Sequence, residues 1–191
     1  MDTERLHIFF ERFPRLAATL TALNKTNIPF AIGGSGCLFL LGNERLPDDV
    51  DIYLPNNCHD QADYLFSIVS FAYRSTQENV RNSNPNGDHA IQLTSGLVFT
   101  IEGKQYSYSL TPDIIANRIH VEFNGLMLSL FPPEDVLLIK ALLQRGPDVG
   151  KHDLEDIQNF MSIYPGLRRD YLNSRIATIG AEERVGDIFH E

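Results

Sequence analysis

The sequence predicts an α+β protein, a mixed β-sheet flanked by helices with a helical C-terminal part. Three observations carry that expectation. Apolar residues recur at three- and four-residue spacing near the N-terminus and again beyond Pro132; the middle third alternates β-branched and aromatic residues with polar ones; and turn-forming residues separate the blocks. A chain of 191 residues that is 43% apolar can bury a full core. One domain over 1–191 is expected, with its core at about 28–131 and its helical part at about 133–178.

In chain order, Leu6, Phe9, Phe10, Phe13, Leu16, Ala17, Leu20 and Leu23 mark an amphipathic helix over 4–24, which Pro14 either kinks or divides. Pro29-Phe30-Ala31-Ile32 reads as a short buried strand that stops at Gly33-Gly34, after which Ser35 is placed to cap a helix through Cys37 to Leu40. Val50 to Leu54 suits a second strand with two different faces. A helical stripe follows over 59–71, then a polar loop over 82–87. Strands are predicted over 89–94, 97–101 and 105–110, and Asn124-Gly125 marks a hairpin between Val121 and Met127. Pro132-Pro133 opens a helix over 134–144, another follows over 151–162, and more helix lies beyond Pro165.

Composition narrows function. Sixteen basic against 25 acidic residues give a net charge of -9, which argues against broad, non-specific nucleic-acid binding. Arg168, Arg169 and Arg175 form a local basic cluster and are expected on a solvated helix face. The longest apolar stretches, 28–41 and 137–143, fall well short of the roughly 20 residues of a membrane-spanning helix. The acidic N-terminus lacks the basic and apolar blocks of a signal peptide, so a cytoplasmic protein with reduced Cys37 and Cys58 is expected. Neither cysteine has the spacing of a zinc ribbon, and His59, His89, His120 and His152 form no helical ligand pair.

The chemistry gathers at two short motifs. Asp49-Val50-Asp51 places two carboxylates on one face of a strand, about 6 to 7 Å apart, because side chains alternate with period two. Such a pair suits Mg2+, which combines carboxylates with substrate phosphate oxygens. Gly33 and Gly34 let backbone approach a phosphate closely, and Ser35 adds a hydroxyl donor. Position 39 is Phe where a dinucleotide-binding turn needs a third glycine, and Gly33-Gly34-Ser35-Gly36-Cys37 lacks the pattern of a hydrolase nucleophile.

The stretch from Ile32-Gly33-Gly34-Ser35 through Asp49-Val50-Asp51-Ile52-Tyr53-Leu54 resembles the signature of the DNA polymerase beta superfamily of nucleotidyltransferases. Further along, Pro133-Glu134-Asp135-Val136-Leu137-Leu138-Ile139-Lys140 and Lys151-His152-Asp153-Leu154-Glu155-Asp156-Ile157 are similar to the later region of the minimal and abortive-infection (AbiEii-type) members. The resemblance implies the nucleotidyltransferase fold and transfer of a nucleotidyl group from a nucleoside triphosphate, with Mg2+, to an acceptor that could be RNA, protein or a small molecule. By position, Gly33, Gly34 and Ser35 would hold the phosphates and Asp49 and Asp51 the metal. Lys140 would meet the triphosphate, and Asp153 would orient that lysine or assist the acceptor. Members of the superfamily often carry a third acid on a later strand; the nearest match, Tyr106-Ser107-Tyr108, has serine there, with Asp88 and Glu102 as substitutes. A non-catalytic nucleotide-binding or regulatory protein that retains the fold is the alternative implied by that departure.

Overall fold

The computed structural model describes residues 2–56, 58, 60, 61, 74–77, 80–82 and 90–189. Asp2 caps α1 (Thr3–Arg12) by accepting the Glu4 backbone N–H at 2.9 Å, and Leu6 and Phe9 on the inner face are buried. Pro14 divides the predicted long helix: α1 ends at Phe13, and α2 (Leu16–Asn24) starts afresh. Proline has no N–H to continue the ladder, so a second helix aligned on the same core is the less strained solution.

After β1 (Ala31–Ile32) and α3 (Gly34–Leu40) comes β2 (Asp49–Tyr53), then β3 (Arg74–Gln77), β4 (Val80–Asn82) and β5 (Ala90–Thr94). The hairpin β6 (Leu97–Ile101) and β7 (Lys104–Tyr108) leads to α4 (Pro112–Asn117) and to a second hairpin, β8 (Ile119–Phe123) and β9 (Leu126–Leu130). Both hairpins turn through two residues of positive φ, Glu102-Gly103 at 51° and 82° and Asn124-Gly125 at 50° and 77°. Such turns match the twist of the flanking strands. The rest is helical: α5 (Pro133–Leu143), a 3-10 turn (Pro147–Val149), α6 (Asp153–Ile163), α7 (Arg169–Ile179) and α8 (Glu182–Phe189).

One sheet of seven described strands has the order β3-β4-β5-β2-β1-β9-β8, and β6-β7 form a separate two-stranded sheet. β2 lies at the centre, antiparallel to β1 and parallel to β5, with Asp49 opposite Ala90 and Asp51 opposite Gln92. The predicted strands over 89–94, 97–101 and 105–110 thus belong to two sheets. β3 and β4 were not anticipated from the sequence, and most of the predicted helix over 59–71 and of the polar loop lies outside the described residues.

α5 packs against α3, α6, α7 and α8, and its Val136, Leu137, Leu138, Ala141 and Leu142 are fully buried. Burying each such large side chain contributes about 1.5 to 3 kcal/mol. The same helix buries Glu134, Asp135 and Lys140, which burial tolerates only with ionic and hydrogen-bonding partners. Arg168 and Arg175 supply part of these; Arg168 and Arg169 are exposed, as the sequence suggested, whereas Arg175 is buried. Arg175 donates to Asp135 at 2.8 Å, Arg168 to Glu134 at 3.1 Å, and Arg169 to the Phe189 carbonyl at 2.8 Å. Among the described residues no helix is long and apolar enough to cross a membrane, and Cys37 and Cys58 are free thiols.

Candidate active site

The alternation of β2 decides where its acids go. Val50 and Ile52 are fully buried on one face, while Asp49 and Asp51 are half-buried on the other and line a cleft of about 420 Å³. The β1–α3 turn closes over them: the Gly33 N–H donates to the Asp51 carbonyl at 2.8 Å, and Gly34 takes φ +56°. A Cβ on Gly34 would stand 2.2 Å from Asp51 Oδ2. The glycine is therefore required first by the carboxylate beside it and by its own left-handed backbone. Gly33 faces inward; a Cβ there would meet Phe131 Cδ2 at 2.6 Å and Tyr53 Cε2 at 2.7 Å. Its place is behind the cleft, against the core.

Ser35 does not cap α3, whose N-cap is Gly33. Its hydroxyl instead accepts from Lys140 Nζ at 3.3 Å and from Arg45 Nη2 at 3.4 Å. Lys140, on the cleft face of α5, also donates to Asp153 Oδ1 at 3.1 Å and Asp156 Oδ2 at 2.8 Å. Arg145 grips Asp153 through Nε at 2.8 Å and Nη2 at 3.3 Å, and Arg45 Nε donates to Asp156 at 3.0 Å. Burial alone would raise the Asp153 and Asp156 carboxyls, but their arginine hydrogen bonds and the Lys140 charge hold both below the ordinary range.

Asp51 behaves in the opposite way. Burial and then the neighbouring Asp49 charge push its pKa up to about 7, against the pull of Lys151, Lys140 and Arg145. A carboxylate so placed is one that a divalent cation would relieve. Two hard carboxylate donors on one strand face, open to a cleft with room for phosphate oxygens, fit Mg2+. Among the described residues no group of three or more acidic, histidine or cysteine side chains could hold a metal, so the remaining coordination would come from ligand and water.

The cleft thus brings together Gly34, Ser35, Asp49, Asp51 and Lys140, with Asp153 buried directly behind the lysine. The position suggested for a third acid is elsewhere: Ser107 pairs with Val98 in the β6-β7 sheet and lines a different cavity. Glu102 lies on the β6-β7 turn, paired with Arg184 at 3.1 Å, and Asp88 falls outside the described residues. Gln92 is the β5 side chain beside Asp51, and its amide donates to Asp49 Oδ2 at 3.4 Å. Arg45, Arg145 and Asp156 were also missed. Only Asp156 carried a local signal, three residues after Asp153 and so on the same helix face.

The sequence matches no protein-family model and no curated protein sequence. Its shape is similar to those of several solved structures, among them the following three. The antibiotic-resistance factor ANT(2'')-Ia in solution has a TM-score of 0.58 at 13% identity, covering 91% of this chain and 97% of its own. The lincosamide antibiotic adenylyltransferase LnuA, lincomycin-bound, has 0.52 at 14%, covering 78% and 96%. An antigenic nucleotidyltransferase-like protein from Paracoccidioides brasiliensis has 0.50 at 20%, covering 93% and 96%. With its mixed sheet, flanking helices and helical C-terminus, the chain has the nucleotidyltransferase fold.

Proposed function

We propose that the protein is a Mg2+-dependent nucleotidyltransferase that moves the nucleotidyl group of a nucleoside triphosphate to an acceptor hydroxyl or phosphate. One observation carries this reading: Asp49 and Asp51 face the same cleft as Gly34, Ser35 and Lys140. In that reaction the acceptor oxygen bonds to the α-phosphorus, the bond to the β-phosphate breaks, and pyrophosphate and a proton leave. Asp49 and Asp51 would hold the metal, which when bound neutralises charge on the phosphate oxygens. Ser35 would donate to a phosphate oxygen, while Gly34 keeps the turn close to Asp51 without a side chain between them. Lys140, charged and buried, favours negative charge at that end of the cleft.

A small-molecule acceptor is the reading with most support. The structures of similar fold include ANT(2'')-Ia in complex with adenylyl-2''-tobramycin and LnuA with lincomycin, and the net charge of -9 disfavours an RNA acceptor. The Lys140–Asp153 contact supports the narrower likeness to AbiEii-type members. We place the chain in the cytoplasm as one functional unit. A second reading, nucleotide binding without transfer, is favoured by Gln92, a neutral amide where the strand beside Asp51 presents its side chain to the cleft.

The test is incubation with α-labelled ATP, GTP, CTP or UTP, Mg2+ and a cell extract separated into small-molecule, RNA and protein fractions. Label transferred by wild type and lost in Asp49→Asn supports the enzyme. Nucleotide binding with no label in any fraction supports the second reading, and Gln92→Asp should then tighten Mg2+ binding, whereas Ser107→Asp should not.

A further inference from the structure

The cleft is lined by four cationic side chains, Arg45, Lys140, Arg145 and Lys151. An ammonium has three protons to donate, and Lys140 has three acceptors in reach: Ser35 Oγ at 3.3 Å, Asp153 Oδ1 at 3.1 Å and Asp156 Oδ2 at 2.8 Å. Its side chain is only 6% exposed. Two of its three protons are committed to buried carboxylates and the third to the Ser35 hydroxyl. Arg145 uses Nε and Nη2 on the two oxygens of Asp153, and Arg45 uses Nε and Nη2 on the two oxygens of Asp156. These three cations and two carboxylates form one network in which Lys140 has no donor left, while Nη1 of each arginine makes no hydrogen bond among the described residues.

Lys151 stands apart from it. Its backbone N–H is bonded to the Gly146 carbonyl at 3.0 Å, but its ammonium makes no hydrogen bond or ion pair among the described residues. It is half-buried on the wall of the cleft that Asp49 and Asp51 line. The backbone that carries it is held at several points. Gly150 takes φ +67° after the 3-10 turn and donates to the Pro147 carbonyl at 3.0 Å, while the Asp153 N–H donates to the Arg145 carbonyl at 3.0 Å. In return the Arg145 N–H donates to Asp153 Oδ2 at 3.0 Å. A cation held near the metal-binding carboxylates, with its donors unspent, is prepared for an anionic ligand.

We propose that Lys151 is the side chain that contacts the β- and γ-phosphates of the bound nucleoside triphosphate, and that Lys140 is a positioning residue that fixes Ser35 and the Asp153–Asp156 pair. This rests on the function proposed above. The specificity it implies is for polyphosphate over monophosphate, since Lys151 would have no partner in a nucleoside monophosphate.

Calorimetric titration of each of ATP, GTP, CTP and UTP and of the matching monophosphates, with Mg2+, into wild type, Lys151→Gln, Lys151→Arg and Asp49→Asn tests it. Loss of one charge-assisted contact should weaken triphosphate binding by about 10- to 100-fold in Lys151→Gln. Monophosphate binding and the melting temperature should stay unchanged, and Lys151→Arg should restore most of the triphosphate preference. Wild-type preference for triphosphate in Lys151→Gln, with Asp49→Asn impaired, would overturn the role of Lys151 and leave the nucleotide site standing. Absence of nucleotide binding by wild type, or undiminished binding by Asp49→Asn, would overturn the proposed function and this inference with it.

Discussion

Helix α5 carries a buried ionic cluster at each end, and the two are built to different ends. Near its N-terminus Asp135 accepts from Tyr108, from Tyr171 at 2.6 Å and from Arg175 at 2.8 Å, and both oxygens of Glu134 are taken by Arg168. Two carboxylates meet two arginines, and the charge balances. Toward its C-terminus Lys140, Arg45 and Arg145 share only Asp153 and Asp156, an excess of one positive charge on the wall of the cleft. Acids in the first turn and a lysine in the last also suit the helix dipole. The balanced cluster ties α7 to the core, whereas the unbalanced one leaves one positive charge in excess on the cleft that Asp49 and Asp51 also line. On the proposed function, similar burial serves anchorage in one place and recognition in the other.

The largest expected effect comes from breaking the balanced end. Asp135→Ala removes the acceptor of a buried arginine and two tyrosines and should cost about 3 to 5 kcal/mol, read as a shift in urea unfolding. A loss under about 1 kcal/mol would mean that Arg175 finds water or another partner. Lys140→Met should cost less, about 2 kcal/mol, because Arg45 and Arg145 still neutralise Asp156 and Asp153. A cost equal to that of Asp135→Ala would erase the distinction between the two ends.

A pH series separates the acids at and behind the cleft by sign. Asp51 is raised from 3.8 to about 7, so the native state keeps a proton that the unfolded chain has released. Metal-free stability from this group should fall as pH rises through that window and level off above it. Asp153 and Asp156, both lowered, contribute in the opposite sense: their stabilisation is present above the ordinary carboxylate range and is lost as pH falls through their depressed values. Unfolding in urea from about pH 4 to about 7 with EDTA should show a downward slope that Asp51→Asn flattens. Equal slopes in both proteins would show that Asp51 is not held in the protonated form.

The parts legible in the sequence were local. The strand that stops at Gly33-Gly34-Ser35, the two-residue period of Asp49-Val50-Asp51 and the Asn124-Gly125 turn each state their geometry within a few residues. Pairings across the fold were not legible. Arg45 and Asp156 meet across 111 residues, and no spacing announces that contact. Alternation tells which face a strand residue takes but not which sheet it joins: Tyr106-Ser107-Tyr108 and Ile91-Gln92-Leu93 share one pattern, yet only Gln92 stands beside Asp51. Arg175 looked like part of a solvated face because its partner, Asp135, lies 40 residues earlier.

The central claim is that Asp49 and Asp51 make the cleft a metal-dependent nucleotide site. Its most direct measurement is nucleoside triphosphate affinity with Mg2+ and with EDTA, for wild type and for Asp49→Asn combined with Asp51→Asn. Wild type should bind only with Mg2+, and the double variant should lose that binding while melting at the same or a higher temperature, since the repulsion between the two carboxylates is gone. Wild-type affinity in the folded double variant, or binding indifferent to EDTA, would contradict the account.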